Sequence, residues 1–287
     1  MPEAIPLTGK PEDNKIKNDA ADASSANWQT RVLRPDDNAP LSRLDPGEAA
    51  AIPAALSPTI NLRVEKTPHE FAHLYAALER QVAGIADVTL LSDETLGSQN
   101  PYVLGISSAV AGEGKTTTAL HLAMTIARNT FKRVCLIDMS LGEGDLGIRM
   151  GIATAGEGMV SVLEETDNVV PTLQLAECDN LVIIPAGRLP KNPAKLARSP
   201  RVAQMLISAR HSFEIVIVDL PAVSTDNALP LARHVDGILL VARSGATPSD
   251  VITQAIDTLG RDKVIGVTLN RFKSPSPKWL QKKFSKV

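Results

Sequence analysis

The sequence predicts an α/β fold with a mostly parallel central sheet flanked by helices on both faces. Three observations carry this. From Tyr102 onward, apolar runs of strand length alternate with segments of helical periodicity. Several of the runs, such as Ile215-Val-Ile-Val218, are unbroken β-branched residues, which suits strands covered on both faces. Between the first such strand and the next helix lies Ala109-Val-Ala-Gly112-Glu113-Gly114-Lys115-Thr116-Thr117, a glycine-rich turn that ends in lysine and threonine.

The elements follow in order. Residues 1–58 hold eight of the 20 prolines, mixed with Asp, Asn, Ser and Ala and without apolar periodicity, so they are expected to be disordered. They read as a tether, with Trp28-Gln-Thr-Arg-Val-Leu33 as the best candidate for a partner-binding segment. A folded domain is expected over 59–273 and a basic tail over 274–287. The domain opens with a helix from Pro68 to about Val82, where Phe71, Leu74, Leu78 and Val82 fall on one face. Strands are expected at Tyr102–Ile106, Arg133–Asp138, Asn180–Pro185, Glu214–Asp219, Asp236–Ala242 and Val264–Asn270. Helices are expected at Thr117–Asn129, Pro200–His211, Asn227–His234 and Ser249–Leu259.

Composition bounds the function. The chain of 287 residues is 44% hydrophobic and only 3% aromatic, which gives an aliphatic core. A net charge of −2 provides no general attraction to nucleic acid, and no nucleic-acid partner is expected. Two cysteines make neither a disulfide framework nor a zinc site, and Cys135 reads as a small core residue. No basic, then apolar, leader follows Met1, and no stretch approaches the roughly 20 apolar residues of a membrane span. The expected location is the cytoplasm.

The turn at 109–117 points to chemistry. Backbone N–H groups in such a turn wrap phosphate oxygens, helped by the positive end of the following helix. Gly112, Glu113, Gly114, Lys115, Thr116 and Thr117 form the expected nucleotide-binding set, with Lys115 reaching the terminal phosphates and Thr116 taking one place on Mg²⁺. The first glycine of the general G-x-x-x-x-G-K-[ST] pattern is replaced by Ala109. A phosphate-bound Mg²⁺ also needs carboxylates. Asp138 and Asp219 end apolar strands and are the candidates for metal binding and, with Lys115, for catalysis.

Assembled, these residues resemble the bacterial tyrosine kinases, the cytosolic halves of capsule and exopolysaccharide co-polymerases. They belong to the MinD/ParA class of deviant P-loop ATPases. The resemblance runs from about Glu70 to Arg271 through Gly112-Glu-Gly-Lys-Thr116, Leu136-Ile-Asp138, Gly158-Met-Val-Ser-Val-Leu163 and Ile184-Pro-Ala-Gly187. It continues through Pro190-Lys-Asn-Pro193, Val218-Asp-Leu-Pro221, Asp236-Gly-Ile-Leu-Leu-Val241 and Gly266-Val-Thr-Leu-Asn-Arg271. It implies a P-loop NTPase fold, ATP and Mg²⁺ as cofactors, and Asn270 at the adenine base, with Arg271 beside it in the cofactor-binding set. It also implies an inner-membrane polysaccharide co-polymerase or other export-machinery membrane protein as partner, and homo-oligomers.

The sequence departs from that pattern in three places. Active members carry Asp-x-Asp at the second strand with an arginine two residues on, whereas this chain has Asp138-Met139-Ser140 followed by Leu141-Gly142. Glu143 and Asp145 substitute only if their loop bends back. The family's tyrosine-rich tail is missing: Tyr75 and Tyr102 are the only tyrosines of the chain. The oligomerising helix has Glu70 but His73 in place of its first arginine. The reading is therefore an ATP-binding regulator of exopolysaccharide or capsule synthesis and export, able or unable to hydrolyse ATP and weak or inactive as a kinase. An active tyrosine autokinase, a MinD/ParA-like positioning ATPase and a nucleotide-free scaffold are the alternatives. Val110, where MinD-like proteins place a signature lysine, argues against the positioning ATPase. The end of the chain from Arg271, with five lysines plus Trp279, Leu280 and Phe284, suits a solvated end, a partner contact or peripheral membrane contact.

Overall fold

The β-branched runs pair as neighbours in one sheet. In the computed structural model, residues 59–60, 68–85, 101–142, 146–147, 150, 158–164, 173–175 and 178–272 are described. Eight strands, β1 (Thr59–Ile60), β2 (Tyr102–Ser108), β3 (Val134–Asp138), β4 (Leu173–Leu175), β5 (Cys178–Ile184), β6 (Ile215–Asp219), β7 (Gly237–Arg243) and β8 (Val264–Asn270), lie in the order β1-β4-β5-β3-β6-β2-β7-β8. The six strands β2, β3 and β5 to β8 pair in parallel, as expected. The short β4 runs antiparallel to β5, and β1 pairs parallel with β4. Two and three residues are too few for a period-2 pattern to register, so β1 and β4 leave no signal in the sequence.

Successive strand residues face opposite layers. Leu104, Ile106, Val134, Leu136, Ile217 and Leu239 join one core with α1 (Glu70–Ile85) and α2 (Lys115–Asn129). Val103, Cys135, Ile137, Val216, Val218 and Ile238 join the other. That second layer is covered by α3 (Met159–Leu163), α4 (Pro193–Leu196), α5 (Pro200–Ser212), α6 (Ala228–Ala232) and α7 (Ser249–Leu259). Cys135 is fully buried, and burial pushes its thiol up, consistent with a packing role.

Local chemistry explains the helix starts. Asn192 accepts from the Lys195 amide at 3.0 Å ahead of Pro193, and Ser199 accepts from the Arg201 amide at 3.3 Å ahead of Pro200. α5 matches the helix expected from Pro200, whereas the single turns of α3 and α4 are too short to show periodicity. On the other face, the Phe71 ring of α1 stacks on the His121 ring of α2 with centroids 5.1 Å apart. Among the described residues, no helix is long and apolar enough to cross a membrane. The expected disordered stretch 1–58 with Trp28–Leu33, the acids Glu143 and Asp145, and the tail 274–287 lie outside the described residues.

Candidate nucleotide site

The carboxyl ends of β2, β3 and β6 converge where α2 begins. Gly112 (φ 82°) and Gly114 (φ 102°) adopt left-handed conformations that turn the chain from β2 into α2. A Cβ on Gly114 would overlap Nδ2 of Asn270, so the last strand closes against the turn from behind. Asn270 Nδ2 donates to the Glu113 carbonyl at 2.7 Å, and Asn270 Oδ1 accepts from the Arg271 amide at 2.8 Å. Amides in the first turn of a helix have no acceptor within that helix, which leaves the start of α2 suited to an anion.

Glu113 plays a part that its place in the motif does not suggest. Its side chain is 2% exposed and turns into the protein rather than toward the site. Oε2 accepts from the Val110 amide at 2.9 Å, while Oε1 accepts from the Arg243 amide at 3.2 Å and from the Thr247 hydroxyl. The carboxylate thus latches the start of the loop to the turn after β7. Only the backbone of Glu113 faces the phosphate-binding role expected of it. The signal available in sequence was an acid within a glycine turn, and its distant partners were invisible there.

Lys115, Thr116, Asp138, Ser140 and Asp219 are all buried, each at most 3% exposed. Strand register sets Asp138 directly beside Asp219, and Asp219 beside Ile106 of β2. The Met139 amide donates to the Asp219 carbonyl at 3.0 Å. Lys115 Nζ donates to Ser140 Oγ at 3.0 Å, and the Ser140 amide donates to Asp138 Oδ1 at 2.9 Å. The structure therefore brings together Lys115, Thr116, Asp138 and Asp219. It adds Ser140, which occupies the position of the second acid in the Asp-x-Asp pattern. Thr117, half-buried, continues the helix away from the turn, and Asn270 and Arg271 stand at its rear.

The donor set fits Mg²⁺. Among the described residues, Thr116 Oγ1 is buried without a hydrogen-bond partner, a costly state that a metal or phosphate ligand would relieve. Two carboxylates and one hydroxyl supply hard oxygen donors. Among the described residues, no group of three His, Cys, Asp or Glu gathers to hold a metal without help. Mg²⁺ usually completes its shell with water and substrate phosphates, so this set suits a cation that arrives with a nucleotide.

The two tyrosines lie elsewhere. Tyr75 is buried on α1, where burial and the Glu79 carboxylate push its phenol above the usual range. Tyr102 opens β2 at the opposite end of the sheet from the P-loop. Its phenol is pushed up to about 12 by burial and by the Asp236 carboxylate.

Comparison with known proteins agrees with this geometry. Residues 105–285 match the CobQ/CobB/MinD/ParA nucleotide binding domain. Tyrosine-protein kinase YwqD of Bacillus subtilis is 30% identical over 168 residues, covering 58% of this chain and 70% of that protein. Succinoglycan biosynthesis transport protein ExoP of Rhizobium meliloti is 32% identical over 190 residues, covering 63% of this chain but only 24% of its own length. The crystal structure of the VpsO kinase domain is 28% identical and superposes with a TM-score of 0.56, covering 71% of this chain and 99% of that one. The chain belongs to the CobQ/CobB/MinD/ParA nucleotide-binding domain family, and its relatives within that family are bacterial tyrosine kinases.

Proposed function

We propose that the protein binds Mg-ATP at the turn 109–117 and regulates exopolysaccharide or capsule synthesis and export, with little or no transfer of phosphate to tyrosine. The observation that carries this reading is the Lys115–Ser140 hydrogen bond. It joins a retained phosphate-binding lysine to a hydroxyl where active relatives are expected to place a second carboxylate. A serine hydroxyl carries no charge to a metal shell and is a poor general base near neutral pH. Lys115 and Thr116 would hold the terminal phosphates, Asp138 and Asp219 would orient the metal shell, and Asn270 with Arg271 would lie near the base. Mg²⁺, when bound, would offset the negative charge of the phosphates.

The positions of Tyr75 and Tyr102 support the same reading. One is packed in the core of α1 and α2, and the other sits half-buried at the far end of the sheet. An autokinase would need to unpack one of them, and a kinase that spares both would need another protein's tyrosine. The polysaccharide context rests on relatives such as ExoP, whose name places it in succinoglycan biosynthesis transport. A membrane protein of the export machinery is the expected partner, with the protein peripheral to the inner membrane. Loss or gain of the γ-phosphate would change the order of the segments at Asp138 and Asp219, as γ-phosphate contacts order switch segments in nucleotide-gated proteins.

The test is Mg-ATP binding and turnover by the purified protein beside Lys115→Ala, with anti-phosphotyrosine detection on the same samples. Binding that depends on Lys115, with slow turnover and no phosphotyrosine, is the expected result. Lys115-dependent phosphotyrosine would instead establish the autokinase, and absence of binding would leave a scaffold.

A further inference from the structure

On the face covered by α4 and α6, the surface opens into a cavity of about 480 Å³ that none of the nucleotide-site residues lines. Two guanidiniums border it, Arg198 just past α4 and Arg233 just past α6. Among the described residues, Asp226 is the sole acid in its lining, and Ser224 and Thr225 contribute hydroxyls. Each arginine is held by its own helix end. Arg198 NH1 donates to the Ala194 carbonyl at 2.8 Å. Arg233 Nε donates to the Pro230 carbonyl at 3.0 Å and to the His234 ring nitrogen at 3.3 Å. His234 can accept because burial, with Arg233 and Lys263 nearby, lowers its proton affinity.

Among the described residues, neither arginine forms an ion pair with a carboxylate. A guanidinium has five N–H donors, so most remain available at each side chain. Tethered planar donors beside a recess are suited to carboxylate or phosphoryl oxygens, because little side-chain entropy is left to lose. The rest of the lining decides between a free ion and a chain. Val223 and the exposed Leu229 add apolar surface, and the volume exceeds what a small inorganic anion fills. We propose that this cavity is a docking site for an acidic segment of a protein partner, with its carboxylates on Arg198 and Arg233.

The site is placed to communicate with the P-loop. Its wall, residues 223–226, is separated from Asp219 by three residues. The Val223 amide donates to the Ser108 carbonyl at 2.8 Å, and the Ser224 amide donates to the Ala109 carbonyl at 3.1 Å. Ser107 Oγ donates to the Pro221 carbonyl at 2.7 Å. A peptide that shifts this wall shifts the first residues of the P-loop, and linkage makes the effect reciprocal. This coupling, unlike the docking itself, rests on the nucleotide-binding reading.

The experiment measures fluorescence anisotropy of a fluorescein-labelled hexaglutamate peptide on the full chain, with hexaglutamine as control and inorganic phosphate as competitor. Hexaglutamate is expected to bind and hexaglutamine not to. The double variant Arg198→Ala/Arg233→Ala is expected to weaken binding at least tenfold, on the order of two lost charge-assisted contacts. Arg261→Ala, whose side chain does not line the cavity, should bind as the wild type does. Equal affinity in the double variant, or equal binding of hexaglutamine, would overturn the proposal. Phosphate that displaces the peptide at its own matching affinity, with the same arginine dependence, would make this a free-anion site and overturn the peptide assignment. Saturating peptide should also shift the affinity for a fluorescent ADP analogue in the wild type and not in the double variant. An unshifted affinity would overturn the coupling. The peptide measurement needs no nucleotide, so a failure of nucleotide binding would be seen separately.

Discussion

At the amino ends of the strands, charge is matched within the protein. Arg210 bridges Asp236 at 2.7 Å and the Pro101 carbonyl at 2.8 Å, while Asp236 accepts from the Val103 amide at 2.7 Å. Arg133 donates through its backbone and its side chain to Glu214. These side chains are half-exposed, and their contacts staple the starts of β2, β3, β6 and β7 together. At the carboxyl ends the polar groups are buried far more deeply, and Thr116 Oγ1 has no hydrogen-bond partner among the described residues. Burial of that kind costs stability unless a ligand completes it. One end of the sheet spends its charges on the fold, and the other holds its polar groups for something that arrives from outside.

That contrast can be broken by exchanging the expected effects. Lys115→Ala should weaken Mg-ATP binding on the order of 100-fold, the scale of a lost charge-assisted contact to phosphate, with Tm unchanged or raised. Arg210→Ala should do the reverse, costing about 1–3 kcal/mol in denaturant unfolding while Mg-ATP affinity stays near wild type. Similar Tm losses for both variants would erase the distinction.

Gly114→Ala should harm both properties, because φ is 102° there and a Cβ would strike Asn270. A loss of about 1–3 kcal/mol, with nucleotide affinity reduced, is expected from paired unfolding and binding titrations. Glu113→Gln keeps the size of the latch and removes its charge. It should weaken nucleotide binding about fivefold, near 1 kcal/mol, without altering the secondary structure seen by circular dichroism.

The smallest effect concerns the tyrosines. Both folded phenols are raised above the unfolded value of about 10. A raised folded pKa adds stability that is fully present below about pH 10 and is lost as pH climbs through the folded value, which for Tyr102 is about 12. Spectrophotometric titration should therefore show no tyrosinate near pH 10 in the folded protein and the ordinary transition in denaturant. Ordinary titration in the folded state would mean that a phenol is accessible, and would reopen autophosphorylation.

The legibility of the site followed the range of its interactions. Gly112 to Thr116 could be read because a turn between strand and helix is a local device whose residue types are dictated by backbone geometry. Asp138 and Asp219 were readable as the ends of apolar runs, although their adjacency depends on β3 and β6 pairing across about 80 residues of chain. The Glu113 latch was not readable, since its partners Arg243 and Thr247 lie on a different turn. Nor was the contact between Lys115 and Ser140, which depends on the start of α2 meeting the end of β3. Parallel order was legible in the β-branched runs, whereas the antiparallel β4 carried too few residues to announce itself.

The central claim is that this site holds Mg-ATP without passing phosphate to tyrosine. The most direct test is intact-mass and peptide mass spectrometry of the wild type and Ser140→Asp after prolonged incubation with saturating Mg-ATP, with binding confirmed on the same preparation. The account predicts bound nucleotide and an unmodified wild-type mass, with any phosphotyrosine confined to the variant that restores the second acid. A phosphoryl group on Tyr75 or Tyr102 of the wild type, absent in Lys115→Ala, would contradict it.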